Sequence, residues 1–304
     1  MLNRHAKELR RDSLIIIAGS ASPKLAARVA TQLKCPLLKP ELKHFPDGEL
    51  YVRLDTKLEG KDVAIVQSTS QPQNDNLIEL FLMLDAAKDL GARHVTAAVP
   101  YLTSLWQDKR FKPGEATSVH TICKLIEHAG ADDFLTVDMH NDGVIQNFSI
   151  PTYNLTAIPL LGQYLAKLKL QDPIILGIDK GLLERVRRVA VELKADYDYL
   201  EKRRVAPKKT AIQPKHLDVA KRDVVLVDDI ISTGSTIIEA TRILRRQRAH
   251  KIYAACTHPV LAGDALQKIL KVDVQAVIAT DTIEHRTSVV SVAPLIAGAI
   301  HQGF

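Results

Sequence analysis

Short apolar runs rich in β-branched residues recur along the chain, with stretches of helical periodicity between them. Leu14–Ala18, Val63–Gln67, His94–Val99, Phe134–Val137, Ile174–Gly177, Val224–Val227, Lys251–Cys256 and Val274–Ala279 read as strands. Pro23–Leu33 and Asn76–Leu90 read as helices, and Ile237, Ala240 and Leu244 mark the apolar face of another. Strands that are apolar on both faces belong to parallel sheets covered by crossover helices. The pattern predicts an α/β protein whose mostly parallel sheets are flanked by helices.

The pattern also repeats. Asp62-Val-Ala-Ile-Val66 resembles Asp223-Val-Val-Leu-Val227, and Arg93-His-Val-Thr-Ala-Ala98 resembles His250-Lys-Ile-Tyr-Ala-Ala255. The two pairs are nearly equally spaced, as expected for a duplicated domain. A chain of 304 residues has room for two such cores. We therefore expect one domain over 1–148 and a second over 149–304, with the last helix able to pack back on the first. Asp196–Leu217 breaks the pattern. It is basic, contains proline and lacks periodicity, so it reads as a long loop or flap of the kind that carries function.

Composition narrows the classes. Aromatic content of 5% leaves few stacking platforms for single-stranded nucleic acid. The net charge of +6 is moderate and gathers at Arg185–Arg188, Glu201–Lys209 and Arg245–Lys251, which suits polyanionic small substrates. Nucleic acid and membrane partners are not expected. No apolar run approaches the ~20 residues of a membrane span, and Met1–Asp12 has mixed charge and no apolar core of a secretory signal. Cys35, Cys123 and Cys256 have no metal spacing and read as reduced thiols of a cytoplasmic protein.

The most informative stretch is Val224-Val-Leu-Val-Asp-Asp-Ile-Ile-Ser-Thr-Gly-Ser-Thr-Ile237. A buried strand leads into two carboxylates, then into small residues that open a helix. Ligands of open α/β sheets sit beyond strand carboxyl ends. There Ser232, Thr233, Gly234, Ser235 and Thr236 offer backbone N–H groups and a helix N-terminus to a phosphate. Asp228 and Asp229 are acceptors placed for the two vicinal hydroxyls of a ribose. A ribose 5-phosphate fits that order of groups. The first copy has Gln67-Ser-Thr-Ser-Gln-Pro at the matching point, a phosphate cradle turned to another use.

Further landmarks run along the chain in order: Phe45-Pro-Asp-Gly-Glu-Leu-Tyr-Val-Arg53, Pro100-Tyr101, Gln107-Asp-Lys-Arg-Phe-Lys-Pro-Gly-Glu115, Val137-Asp-Met-His140, Asp179-Lys-Gly181, Glu201-Lys-Arg-Arg204, Asp228–Thr236 and Ser291-Val-Ala-Pro-Leu-Ile296. With them, from about Ile15 to the C-terminus, the chain resembles the ribose-phosphate pyrophosphokinases, nearer their archaeal-type branch. The resemblance implies two phosphoribosyltransferase-like domains, the first for ATP and oligomerisation and the second for ribose 5-phosphate. It implies transfer of the β,γ-diphosphoryl group of ATP to the C1 hydroxyl of the sugar, with release of AMP. Phe45, Asp47, Gly48, Glu49, Trp106 and Gln107 fall at ATP-binding positions, with Phe45, Asp47 and Glu49 reaching across a homo-oligomer interface. Lys202 and Arg204 fall at catalytic positions, with Arg204 also near the sugar phosphate. His140 and Asp179 match metal-linked positions for Mg2+.

Two residues depart from the family pattern. Trp106 stands where an arginine is usual, and an indole supplies neither the charge nor the fork of a guanidinium. Losing one such phosphate contact costs about 1.5–3 kcal/mol. Ser235 stands where the loop usually has glycine, a strain of about 1 kcal/mol if that position needs a positive φ. Two alternatives stay open on sequence alone. One is a weakly active or inactive paralogue that regulates a true synthase, which Trp106 favours. The other is a phosphoribosyltransferase, which the duplicated first domain disfavours.

Overall fold

The computed structural model describes residues 13–103, 107–110, 112–206, 209–213 and 217–302. Leu14–Ala18 (β1) is followed by Pro23–Leu33 (α1), whose proline opens the first turn, where no amide is needed. Glu284 supports that turn, its Oε1 accepting from the amides of Lys24 and Leu25 at 2.6 and 3.2 Å. Leu37–Leu38 (β2), Glu41–His44 (β3), Leu50–Arg53 (β4) and Asp62–Val66 (β5) come next. Gln73–Asp89 (α2), His94–Ala98 (β6), Ser118–His128 (α3), Asp133–Val137 (β7) and Thr152–Leu155 (β8) complete the first run.

The strands assemble in the order β2-β1-β5-β6-β7-β8, every pair parallel, and β3 and β4 form a separate antiparallel hairpin. Ile16, Ile17, Val63–Val66, Val95 and Phe134 are buried in this sheet. Phe148 stacks on Phe134 with ring centroids 4.3 Å apart. The first compact unit comprises 1–156, 282–284 and 292–304, and within it the terminal helix Ala293–Gln302 packs against α1.

The second unit, 157–281 with 285–291, is built the same way. Ile158–Ala166 (α4) leads to Ile174–Gly177 (β9), Leu183–Leu193 (α5), Asp196–Tyr199 (β10), Glu201–Ala206 (β11) and Lys209–Gln213 (β12). Val224–Ile230 (β13), Ser235–Arg246 (α6), Ile252–His258 (β14), Ala265–Lys271 (α7), Val274–Thr280 (β15) and Ser288–Val290 (β16) follow. The sheet order is β10-β9-β13-β14-β15-β16, all parallel, with β11 and β12 as an antiparallel pair outside it. The core combines Val224–Val227 and Ala254–Cys256 with Val186, Val189 and Ala190 of α5 and Ile237, Ala240 and Leu244 of α6. The α/β expectation holds in both units. The two sheets share one topology, and each carries a hairpin between its second and third strands.

The flap differs from its expectation. Its described residues are largely strand: Asp196–Tyr199 joins the sheet edge, and Glu201–Ala206 pairs antiparallel with Lys209–Gln213, with Lys202 opposite Ile212 and Arg204 opposite Thr210. Cross-strand backbone bonds make a strand here without apolar alternation. Met1–Asp12, Trp106 and the side chains of Lys202 and Arg204 lie outside the described residues. Among the described residues no helix is long and apolar enough to cross a membrane. All three cysteines are free, and burial pushes the Cys123 thiol up to about 12.

Candidate active site

β13 carries the two acids on its last turn of pleat rather than beyond its end. Asp228 and Asp229 are 7% and 6% exposed, deep enough for each carboxylate to need defined partners. Asp228 Oδ1 accepts from the Asp229 amide at 2.9 Å, and Asp229 Oδ1 accepts from the Ile230 amide at 2.8 Å. Each acid thus spends one oxygen on its own backbone, which fixes the orientation of the other. Arg185 of α5 brings Nη1 to 3.5 Å from Asp229 Oδ2. Cys256, opposite Asp228 in the register of β14, is fully buried; burial first and the Asp228 charge second push its thiol well above its ordinary value. It stays neutral beneath the acids.

The loop that follows is pinned where it leaves the strand. Ile231 donates to His258 O at 3.1 Å, while Leu261 and Ala262 donate back to Ile231 O and Ser232 O at 2.9 and 3.1 Å. Gly234 has φ 74°, and a Cβ there would lie 2.7 Å from two side-chain carbons of buried Ile269 on α7. Both facts require glycine at this turn. Ser235 is the first residue of α6 and takes no positive φ, so the strain anticipated for it does not arise. The first turn of α6 presents amides that have no carbonyl one turn back. Thr233 Oγ1 and Ser235 Oγ stand 3.2 Å apart beside them, both residues exposed. Backbone N–H groups, two hydroxyls and a positive helix end facing outward are an arrangement able to hold an anion.

One strand away, at the end of β9, the Asp179 side chain accepts from the Gly181 amide at 2.9 Å and caps a short 3₁₀ turn. β9 pairs with β13, so Asp179 and Asp228 leave neighbouring strands at the same edge of the sheet. Among the described residues no group of three or more His, Cys, Asp or Glu side chains converges as a metal cage. The oxygen donor of Asp179 suits Mg2+, a hard cation that keeps most of its waters and is shared with substrate phosphates.

In the first unit, the segments after β6 and β7 meet. Asn141 Nδ2 donates to Asp108 Oδ2 at 2.7 Å, and Gln107 Oε1 accepts from Ser118 Oγ. That contact brings exposed His140 and exposed Gln107 to one rim of the sheet. Phe45, Asp47, Gly48 and Glu49 form the tip of the β3–β4 hairpin. Phe45 N donates to Glu49 O at 2.8 Å, Glu49 N donates to Asp47 Oδ1 at 3.2 Å, and Gly48 has φ 94°. Phe45 packs edge-on to Tyr51 at 5.9 Å but remains 42% exposed.

A model of the N-terminal domain of ribose phosphate pyrophosphokinase matches residues 14–130, and a phosphoribosyl transferase domain model matches 154–294. A ribose-phosphate pyrophosphokinase of Methanothermobacter thermautotrophicus is 46% identical over 283 residues, 93% of this chain and 98% of that protein. The chain belongs to the ribose-phosphate pyrophosphokinase family. The counterpart from Saccharolobus solfataricus is 38% identical over 89% of this chain and 93% of its own length. The crystal structure of phosphoribosylpyrophosphate synthetase from Mycobacterium smegmatis superposes with a TM-score of 0.84 at 30% identity, covering 94% of this chain and 97% of that one. Both units are therefore phosphoribosyltransferase-type domains, and the similar pyrophosphokinases named here are archaeal.

Arg185 was not singled out by sequence reasoning beyond its place in a basic cluster. Its signal is positional: it precedes Val186, the first buried residue of amphipathic α5, and so stands at the edge of the buried face.

Proposed function

We propose that Asp228, Asp229 and the 232–236 loop hold ribose 5-phosphate, while Phe45, Asp47, Gly48, Glu49 and Gln107 belong to the ATP side. The reaction is that of the family. The C1 hydroxyl oxygen of ribose 5-phosphate bonds to the β-phosphorus of ATP and gives up its proton to solvent, the bridge to the α-phosphate breaks, and AMP leaves with the bridging oxygen. The products are 5-phosphoribosyl 1-diphosphate and AMP. The observation that carries the sugar assignment is the strand edge where two oriented carboxylates adjoin an uncapped helix N-terminus. The carboxylates accept from the 2- and 3-hydroxyls, and the loop amides take the 5-phosphate. That leaves C1 at the far side of the ring from the anchored phosphate.

Lys202 and Arg204 on β11 are assigned to the charge that spreads over the transferred group, since diphosphoryl transfer is mainly positioning and electrostatics. Asp179 and His140 are assigned to Mg2+, which the family uses generally and which, when bound, neutralises phosphate oxygens. The exposed ring of Phe45 and the acids beside it suit an adenine brought by a second copy of the chain, so the working form is a homo-oligomer. The free thiols suit a cytoplasmic enzyme. A phosphoribosyltransferase is disfavoured because its extra requirement, one core and a base-binding hood, is not what residues 14–130 match.

The test is a time course with ATP, ribose 5-phosphate and magnesium that resolves AMP, ADP and 5-phosphoribosyl 1-diphosphate. AMP and the diphosphate product rise together, only with the sugar present. A folded, nucleotide-binding protein that gives no sugar-dependent AMP is instead a regulatory paralogue. A second expectation concerns the loop. Gly234→Ala forces a Cβ against Ile269 and an alanine to positive φ, and raises KM for ribose 5-phosphate about tenfold or more while KM for ATP holds. An unchanged sugar KM would remove the loop from the sugar site.

A further inference from the structure

The two units carry corresponding turns, and in the first unit the turn already holds an anion. Ala18 pairs with Val66 as Gly177 pairs with Val227. The Gly19 amide donates to Val66 O at 3.0 Å, and the Ile178 amide donates to Val227 O at 3.2 Å. Gly19–Ser22 after β1 is thus the counterpart of Ile178–Gly181 after β9, and Gln67 stands where Asp228 stands. In the second unit the turn satisfies its own amide through Asp179. In the first, a carboxylate arrives from another element.

Glu79 projects from α2 and is 4% exposed. Its oxygens accept from the Ser20 amide at 2.7 Å, the Ser20 hydroxyl at 2.5 Å and Gln67 Nε2 at 3.0 Å. Gln67 is held in that orientation by the Ala21 amide, which donates to its Oε1 at 2.9 Å. Gly19 leaves the room, because a Cβ there would lie 2.2 Å from Gln67 Oε1. A backbone N–H, a hydroxyl and a side-chain amide converge on one buried carboxylate, and none of these partners is a cation. Neutral donors aimed at an anion from several directions are how oxyanions are held without a counter-ion.

We infer that the Gly19–Ser22 turn with Gln67 is an oxyanion seat whose resident anion is the chain's own Glu79. Its ligand class is a small carboxylate or phosphate oxyanion. With the seat filled internally, the first unit does not offer a second phosphate site. The altered Gln67-Ser-Thr-Ser-Gln-Pro segment is then one half of a closed pair, with Glu79 as the other.

The experiment is thermal unfolding of the full chain carrying Glu79→Ala or Glu79→Gln, in formate, acetate or phosphate against chloride at equal ionic strength. Glu79→Ala takes the acceptor from the buried Gln67 side-chain amide and from the amide and hydroxyl of exposed Ser20, and lowers Tm by about 3 °C or more. Formate, which fits the space vacated by the carboxyl group, returns about half of that loss at concentrations above its dissociation constant. Glu79→Gln also loses stability but gains nothing from formate, because its amide still fills the seat. The response of the parent protein to each salt is subtracted. An alanine variant as stable as the parent, or one that loses stability with no recovery specific to the small anions, overturns the inference and leaves Glu79 a structural staple. If Glu79→Ala does not accumulate folded, refolding yield from urea decides in the same way: higher in formate supports the seat, equal yields in formate and chloride refute it. None of these readouts passes through the synthase reaction.

Discussion

Replacing Lys202 or Arg204 by alanine lowers kcat about 10²–10³-fold, the range found when one donor to a developing oxyanion is removed. The charge being moved is large. The non-bridging oxygens of the transferred diphosphoryl group and the bridging oxygen of the departing AMP share it, and little covalent chemistry is left for the protein beyond holding cations in place. Both residues lie on β11, whose backbone pairs with β12 from Glu201 opposite Gln213 to Ala206 opposite Lys209. A substitution on such a hairpin leaves the two sheet cores intact, so lost turnover would not reflect lost fold. Arg203, between them on the same strand, serves as control, and its alanine variant stays within about threefold of the parent. Steady-state kinetics at saturating ATP and sugar distinguish the positions. Equal effects at 202, 203 and 204 would mean a diffuse basic surface that attracts substrate, a role that salt screens away.

The parts of the molecule legible in the sequence are the ones whose signal is local. Val224–Val227 and Phe134–Val137 announce buried strands because both faces are apolar, and the structure extends the first to Ile230. The strand, acid pair and loop proposed to hold the sugar are contiguous, so their order alone picks them out. Edge strands are harder to see. β2 has two residues, both half-buried leucines, and β16 three, Ser-Val-Val, each too short to show a strand pattern. The flap hid its hairpin because its pairing rests on backbone groups common to every residue. Contacts between distant segments left no trace either. Arg185 reaches Asp229 from another strand-helix unit, and Glu79 reaches Ser20 across 59 positions. Ser235 shows the opposite error: a departure from the family pattern that suggested strain is an ordinary first helical residue, because the positive φ falls on Gly234.

Changing both Asp228 and Asp229 to asparagine lowers kcat/KM for ribose 5-phosphate about 10²–10³-fold and leaves KM for ATP within about threefold. Asparagine keeps the shape and one acceptor, so the bonds from the Asp229 and Ile230 amides survive and the strand end stays folded. What changes is the other corner of each side chain. An NH2 group replaces the oxygen assigned to a sugar hydroxyl, which at Asp229 also lies 3.5 Å from Arg185 Nη1, the negative charge is gone, and a charge-assisted bond worth about 1.5–3 kcal/mol is lost at each acid. Either single variant alone falls about 10–100-fold. The pair falls by less than the product, since both acids hold one sugar and the second loss acts on a ligand already loosened. The substrate supplies the converse experiment. 2-Deoxyribose 5-phosphate lacks one of the donors, so the parent enzyme discriminates against it about 10–100-fold, while the double variant has little acceptor left to miss and discriminates far less. If the variant still prefers the ribose form as strongly as the parent does, the carboxylates face something other than the sugar hydroxyls. The 2-hydroxyl must then be recognised from outside β13.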